Sequence, residues 1–438
     1  MPKQLEVWLN GEQLGVLMQV DGRLGFAYTA NWLQNPASQA LSHSLPLRPE
    51  AFDDRATRPF FAGLLPEGDK RRLVAQALHV SRQNDFGLLD GIGGECAGAV
   101  SLREPRLPQP ASNELAPGSE SVRWLDEAQL QQLLKDLPQR PMLAGLDGLR
   151  LSLAGAQDKL PVTFDGHLVG LPLHGSPSTH ILKPAISSLE GSVHNEAFCM
   201  RLAAAMQMPA AQVEIRHAGA QPFLLVRRYD RLPATGAAGM DATDGTADAP
   251  SQRLHQEDFC QAMGIVPEHK YQNEGGPSLA QAFQLLRQVT RPNAPQVLRL
   301  LDAVVFNALI GNHDAHGKNF SLLYGASATQ PRVELAPLYD LLCTAVYPQL
   351  TDKMAMKIGS KYRFTELLPR HWEQFAHEAD LSRAQVRKRV LDIANRLPSR
   401  AEATRGQMVA AGQDAPLLSD IVALINRRCA LTAERLGK

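Results

Sequence analysis

The run Gly311-Asn312-His313-Asp314-Ala315-His316-Gly317-Lys318-Asn319 concentrates groups that do chemistry, and Leu338-Tyr339-Asp340 follows it. The spacing Asp-x-x-x-x-Asn, then a hairpin, then a single Asp is what phosphoryl transfer from a metal-bound nucleotide requires. Asp314 would orient the acceptor hydroxyl as base, while the Asn319 amide oxygen and the Asp340 carboxylate would hold Mg2+. Upstream, Lys183 ends the apolar run Thr179-His180-Ile181-Leu182. A lysine there pairs with nucleotide phosphates in kinases, and is otherwise an exposed strand end. Glu196 lies in the next helical stretch, either as a partner for Lys183 or as a first-turn charge complementing the helix dipole. Two other readings stay open. His313, Asp314 and His316 are closely spaced ligand types that would suit a zinc or di-metal hydrolase activating water, although Asn319 and Lys183 then have no task. A nucleotide-binding, non-catalytic protein such as a corepressor would keep the same charged groups.

These groups need elements to hold them. Val297 to Ile310 is an apolar run that predicts a helix into Gly311, and Phe320 to Tyr324 and Val333 to Pro337 predict a hairpin. Leu149 to Leu153 and Leu160 to Val162 read as strands flanking a small-residue loop, Ala154-Gly155-Ala156-Gln157-Asp158-Lys159. Small side chains let backbone N–H groups approach phosphate oxygens, and Lys159 adds charge. Phe223 to Val226 predicts a strand running into Arg227-Arg228-Tyr229, where a hinge would hold an adenine ring through backbone groups. Asn195 to Ala203 begins a helix. From His255 onward the pattern is helical over Gln256 to Met263, Leu279 to Val289, Gln296 to Ile310, Pro369 to Glu378, Ser382 to Leu397 and Ala415 to Leu436.

At the start, Leu5 to Leu9, Gln13 to Val20 and Leu24 to Tyr28 alternate around Asn10-Gly11 and Asp21-Gly22, which predicts an antiparallel meander. Pro59 to Arg72 leads into a helix with a basic outer face packed on that meander. Gly91-Ile92-Gly93-Gly94-Glu95 lacks the Lys-Ser/Thr of a phosphate loop and reads as a turn into a strand, Ala99 to Leu102. Arg103 to Val122 reads as a linker, and Leu232 to Leu254 as a low-complexity surface loop. The expected class is α+β: an amino-terminal domain at 1–104, a linker at 105–120 and a core at 121–438. Within the core, a nucleotide-binding part spans about 145–232 and a large helical lobe about 255–438.

The 438 residues are enough for two or more cores. Lys plus Arg and Asp plus Glu both number 45, so bulk charge gives no steering toward nucleic acid. Five scattered cysteines without a C-x-x-C pair argue against a disulfide framework or a zinc site. Met1 to Glu6 has no signal-peptide core and no apolar run reaches membrane-spanning length. A cytoplasmic protein with no membrane partner is expected.

Together, Leu151-Ser152-Leu153-Ala154-Gly155-Ala156-Gln157-Asp158-Lys159, Thr179 to Lys183, Asp314 to Asn319 and Leu338-Tyr339-Asp340 resemble the HipA family. Its members are serine/threonine-kinase toxins of bacterial toxin–antitoxin modules. The likeness extends to Ser44-Leu45-Pro46-Leu47, Phe60 to Pro66 and Gly98-Ala99-Val100. The resemblance implies a phosphatidylinositol-3/4-kinase-like protein-kinase fold that phosphorylates protein serine or threonine with ATP and Mg2+. It implies Asp314 as catalytic base and Asn319 and Asp340 as magnesium ligands. It also implies a nucleotide lined by Ala154, Gly155, Ala156, Gln157, Asp158, Lys159, Lys183, Arg227, Arg228, Tyr229, His316, Gly317, Lys318, Asn319, Tyr339, Asp340, Leu341 and Leu342. Ser152 matches the serine that the family autophosphorylates. A dianionic phosphate there is incompatible with the Ala154–Lys159 loop tucked over ATP, so it switches the kinase off.

The implied partners are a HipB-like helix-turn-helix antitoxin bound to operator DNA and a protein substrate, which in the family includes aminoacyl-tRNA synthetases. The implied outcome is growth arrest and persistence. The chain departs from the family in three places. Arg227 stands where the best-known members carry an acidic residue. Pro184 to His194 is shorter than the family's activation loop. Glu373, Glu378 and Asp380 follow Arg370-His371-Trp372, which leaves the antitoxin as the route to DNA.

Overall fold

The computed structural model describes residues 3–105, 121–146, 148–232, 252–325 and 332–437. The expected linker, apart from residue 105, and the low-complexity stretch at 233–251 lie outside the described residues.

The amino-terminal region is the expected meander: β1 (Lys3–Leu9), β2 (Glu12–Val20) and β3 (Arg23–Tyr28). Asn10 and Asp21 take φ 50° ahead of Gly11 and Gly22, also at positive φ, as tight two-residue hairpin turns require. Four helices follow: α1 (Ala30–Gln34), α2 (Asp54–Ala62), α3 (Gly68–Ala77) and α4 (Asp85–Ile92). Then β4 (Val100–Arg103) pairs antiparallel with β1 and completes the sheet order β3-β2-β1-β4. The alternating Leu5, Val7 and Leu9 of β1 share one core with Phe26, Phe60 and Phe61. Pro59 to Arg72 is the end of α2 and the start of α3, separated by a short strap, Gly63 to Glu67.

The middle of the chain is β5 (Val122–Trp124), α5 (Glu127–Asp136), β6 (Leu160–Phe164), β7 (Val169–Pro172), β8 (His180–Pro184), α6 (Ser192–Ala205), β9 (Val213–Ala218) and β10 (Gln221–Arg227). Its six strands form one antiparallel sheet in the order β5-β7-β6-β8-β10-β9. A short ribbon, β11 (Arg231–Leu232) with β12 (Gln252–Arg253), follows.

The last part is β13 (His255–Asp258), α7 (Phe259–Ala262), α8 (Leu279–Val289), α9 (Ala294–Ile310), β14 (Ser321–Tyr324), β15 (Val333–Leu335), β16 (Lys353–Ile358), β17 (Lys361–Arg363), α10 (Pro369–Glu378), α11 (Arg383–Ala410) and α12 (Pro416–Gly437). Helix α9 is its axis, with Leu300, Leu301, Val304, Val305, Phe306, Leu309 and Ile310 all inside the core that α6, α8 and α10–α12 share. No helix among the described residues is long and apolar enough to cross a membrane.

Two expectations change. Leu149 to Leu153 is not a strand of the sheet. It makes one parallel bridge, Leu151 to Glu95, with Glu95 N donating to Arg150 O at 2.8 Å and Ser152 N to Glu95 O at 2.9 Å. Gln256 to Asp258 is not helical, because it pairs with β14 from His255–Tyr324 to Asp258–Ser321. The helix starts only at Phe259, where Asp258 and Gln261 form a capping box.

Two buried carboxylates join the amino-terminal region to the rest. Glu95 is fully buried and meets Arg228 at 3.0 Å, Arg231 at 2.8 Å and Arg253 at 2.6 Å. Burial alone would raise its pKa, but the three guanidiniums hold it below the usual carboxylate range. Glu257 has no ion-pair partner among the described residues and instead accepts from Ser42 Oγ at 2.5 Å, Tyr324 Oη at 2.5 Å and His43 N at 3.0 Å. Burial pushes its carboxyl up to about 7 despite these bonds. The folded chain therefore keeps a proton that the unfolded chain releases, and this contribution is present at low pH and lost as pH rises through about 7. A shift of that size is on the order of 3 kcal/mol. Urea unfolding from about pH 5 to about pH 8 should show wild-type stability falling relative to Glu257→Gln by an amount of that order. Parallel pH profiles would show that Glu257 is not protonated in the folded state.

Candidate active site

Helix α9 delivers the chemistry-bearing loop. It ends at Gly311, whose φ of 79° is left-handed and whose added Cβ would meet the Ala345 Cβ at 2.8 Å. Asn312 then braces the turn, donating to Asn307 Oδ1 at 2.8 Å and accepting from Asp314 N at 3.2 Å. Asn319 Nδ2 donates to Asp314 O at 2.9 Å, which leaves its amide oxygen for a ligand. The loop opens onto a cavity of about 730 Å³. Asp314, His316, Lys318, Asn319, Tyr339 and Asp340 line it, as do Lys183, Glu196, Ala154 to Gln157, Lys159, Arg227 to Tyr229 and Leu342.

At the cavity's inner end Lys183 Nζ sits between Glu196 Oε1, at 2.6 Å, and the Asp340 carboxylate. Burial works against the ammonium charge, but Asp340 and Glu196 more than offset it and hold Lys183 above its usual range. For Asp340, burial is likewise outweighed by Lys183 and Lys159, and the group stays ionised. Burial raises Glu196. Glu196 is not a first-turn charge, because α6 starts at Ser192; it is the lysine's partner. Asp340 itself holds φ 53°, an uncommon left-handed conformation for a non-glycine residue.

The small-residue loop is seated by the amino-terminal strap. Glu67 N donates to Gly155 O at 3.1 Å, and Ser152 Oγ, fully buried, donates to Leu64 O at 2.8 Å. Lys159 Nζ closes the loop on Ala154 O at 2.9 Å. Gly155 has φ 113°, and a Cβ there would meet Lys159 Nζ at 2.8 Å.

Some expected residues do other work. His313 has its Nδ1 on Thr351 O at 3.0 Å and its Nε2 on Arg428 at 2.9 Å, so it is not poised to share a metal with Asp314 and His316. Among the described residues no cluster of three or more His, Cys, Asp or Glu could hold a metal ion. Arg228 belongs to the Glu95 cluster, and Arg227 donates to Gln212 Oε1 at 3.2 Å. Their backbone N–H groups already serve Thr179 O and Gln212 O, so neither is free for an adenine ring. Asp158 turns to Lys70 at 2.7 Å, Gly317 packs against Pro277 and Cys260, and Leu341 is in the helical core; none of the three lines the cavity. Lys318 lines it but is committed to Asp258 and Gly63 O, both at 3.0 Å. His316 keeps a buried Nδ1 with no hydrogen-bond partner among the described residues, and burial with two nearby lysines holds the ring neutral.

Three lining residues carried no sequence signal. Tyr271 Oη donates to Asp314 Oδ1 at 2.6 Å. Lys270 Nζ meets Glu67 Oε2 at 2.7 Å, and the other Glu67 oxygen faces Lys318 at 3.7 Å. Solvent reaches Asp314 through the cavity mouth, yet the surrounding protein raises its carboxyl above the usual range, against the lowering effects of Tyr271 and Lys270. The oxygen donors Asn319 and Asp340 suit a hard cation such as Mg2+.

The family model described as the HipA-like C-terminal domain matches residues 151–401, and the HipA N-terminal domain model matches residues 5–103. The putative kinase Y4mE of Sinorhizobium fredii is 48% identical over 91% of this chain and 90% of its own length. The serine/threonine-protein kinase toxin HipA of Shewanella oneidensis is 29% identical over 85% of this chain and 82% of its own. The solved complex of Shewanella oneidensis HipA, HipB and its operator DNA superposes with a TM-score of 0.81 at 26% identity, covering 99% of this chain and 98% of that one.

Glu67 ties the strap to both loops of the cavity, so its loss should be felt by a ligand between them. Glu67→Ala should weaken binding of a non-hydrolysable ATP analogue roughly tenfold, about 1.4 kcal/mol, by titration calorimetry. Unchanged affinity would detach the strap carboxylate from the site.

Proposed function

The chain belongs to the HipA family and is a kinase, and we propose that it moves the γ-phosphate of ATP, with Mg2+, to serine or threonine of a protein substrate as the toxin of a toxin–antitoxin module. The carrying observation is the meeting of Asp314, Asn319, Lys183, Glu196 and Asp340 around one cavity in a chain of that family. In this reading Asp314 accepts the proton of the acceptor hydroxyl, and Tyr271 holds its carboxylate in place. Lys183 and the backbone of the Ala154–Lys159 loop bind the phosphates. Asn319 and Asp340 hold Mg2+, which when bound neutralises phosphate charge. Ile181, Val226, Tyr229 and Leu342 give the adenine an apolar wall.

Ser152 is the autophosphorylation site in this reading. Its hydroxyl occupies a fully buried position against Leu64 O, where a phosphate has no room and no solvent. Modification would therefore drive out the adjoining loop and end nucleotide binding. The domain division at 1–104, 105–120 and 121–438 accompanies this reading. A HipB-like antitoxin is the partner, supported by the likeness to the HipA–HipB–DNA complex, and operator DNA is reached through it. The substrate is an aminoacyl-tRNA synthetase, whose phosphorylation halts translation and growth. Five free, buried cysteines suit action in the cytoplasm.

With γ-labelled ATP, wild-type protein should label itself, and Asp314→Asn should lower that rate by roughly 10²–10⁴-fold. Mass spectrometry should find the phosphate on Ser152 and lose it in Ser152→Ala. Undiminished transfer by Asp314→Asn contradicts the kinase assignment of the site, and a phosphate mapped elsewhere contradicts the switch.

A further inference from the structure

Nucleotide binding leaves one part of the cavity wall without a task. The β16–β17 hairpin contributes Lys353, Met354, Ala355 and Tyr362 to that wall, Thr351 leads into it, and the 3-10 turn Gln272–Glu274 contributes Asn273 and Glu274. Both are fastened to the loop that carries Asp314. Ala355 N donates to His313 O at 2.8 Å and Thr351 O meets His313 Nδ1 at 3.0 Å, so the hairpin grips the residue next to the base on two sides. Lys357 N donates to Gln272 Oε1 at 2.9 Å, which ties the hairpin to the turn. Tyr271, which leads into that turn, holds Asp314 directly.

The exposed chemistry of this wall is specific. Leu350 also lines the cavity and is 37% exposed, one of few large apolar side chains left open. Two other charges of the hairpin are neutralised, Arg363 by Asp352 at 2.7 Å and Lys361 by Glu366 at 2.9 Å, and Lys357 does not line the cavity. Lys353, the hairpin cation on the cavity wall, has no ion-pair partner among the described residues, and neither has Glu274 on the turn. A cation and an anion left unpaired on two elements beside the base offer opposite complementarity to a bound chain.

We propose that the β16–β17 hairpin and the 272–274 turn form the acceptor cleft. It takes an extended serine- or threonine-containing protein segment with an acidic residue for Lys353, a basic residue for Glu274 and an apolar residue against Leu350. The proposal rests on the phosphoryl-transfer reading. In that step the acceptor oxygen bonds to the γ-phosphorus, the bond from that phosphorus to the bridging oxygen of ADP breaks, and the hydroxyl proton passes to Asp314.

The test is a serine-centred positional peptide library with labelled ATP, run with full-length wild type, Lys353→Glu, Lys353→Ala and Glu274→Lys. Wild type should select an acidic residue at one flanking position and a basic residue at another. Lys353→Glu should invert the acidic preference roughly tenfold while leaving the basic one and the KM for ATP unchanged. Lys353→Ala should lose the acidic preference without inverting it, and Glu274→Lys should alter the basic one alone. Unaltered preferences in these variants overturn the proposal. So does a wild type that labels its own chain but no peptide, because the acceptor is then not read as an extended segment. A wild type that transfers phosphate to nothing removes the kinase reading, and this proposal with it.

Discussion

Lys183 is a cation in the protein interior, and its two carboxylate neighbours come from different elements, 13 and 157 positions away. Its strand, β8, lies in the antiparallel sheet, Glu196 rises from helix α6, and Asp340 arrives after the β14–β15 hairpin. A buried charge is tolerated only with partners, so satisfying this ammonium fixes the sheet, the helix and the turn relative to one another. Removing the lysine would leave buried Glu196 facing Asp340 without a counter-charge, a change of up to about 3–5 kcal/mol for a broken buried pair. The same contact keeps Asp340 ionised beside the loop that carries Asp314 and Asn319. Fold stability and the electrostatics of the site therefore rest on one triangle.

The amino-terminal region is part of that site. Its strap, Gly63 to Glu67, touches the small-residue loop through Gly155, the residue Ser152 that leads into it, and the Asp314 loop through Lys318. Glu95, a little further along, pairs its backbone with Arg150 and Ser152 and its carboxylate with three arginines of the core. Ser152 thus lies where the two regions meet, and any change that expels it disturbs both. That placement gives the amino-terminal region a physical reason to be present: it completes the wall of the cavity.

Much of this was readable from residue types where the determining contacts are local. The Asp314–Asn319 loop is a short run whose members brace one another, and the helical period is plain in α8, α9 and α10. Long-range pairing was not readable. Gln256 to Met263 has an amphipathic pattern, but its first half is claimed by β14, a strand far along the chain. Arg227 and Arg228 look alike in sequence; the strand's end sends one to solvent and the other into a buried cluster. Glu67 and Tyr271 gave no signal because their partners stand 203 and 43 positions away. The two roles open to Glu196 separate only once the helix start at Ser192 is known.

The triangle makes a direct demand on metal-dependent binding. Titration calorimetry of a non-hydrolysable ATP analogue, with and without Mg2+, should show Mg2+ strengthening the affinity of wild type. In Asp340→Asn the metal-free affinity should persist while the Mg2+ increment disappears. An undiminished Mg2+ increment in Asp340→Asn would contradict the assignment of Asp340, and of the buried lysine that keeps it charged, to the metal–nucleotide site.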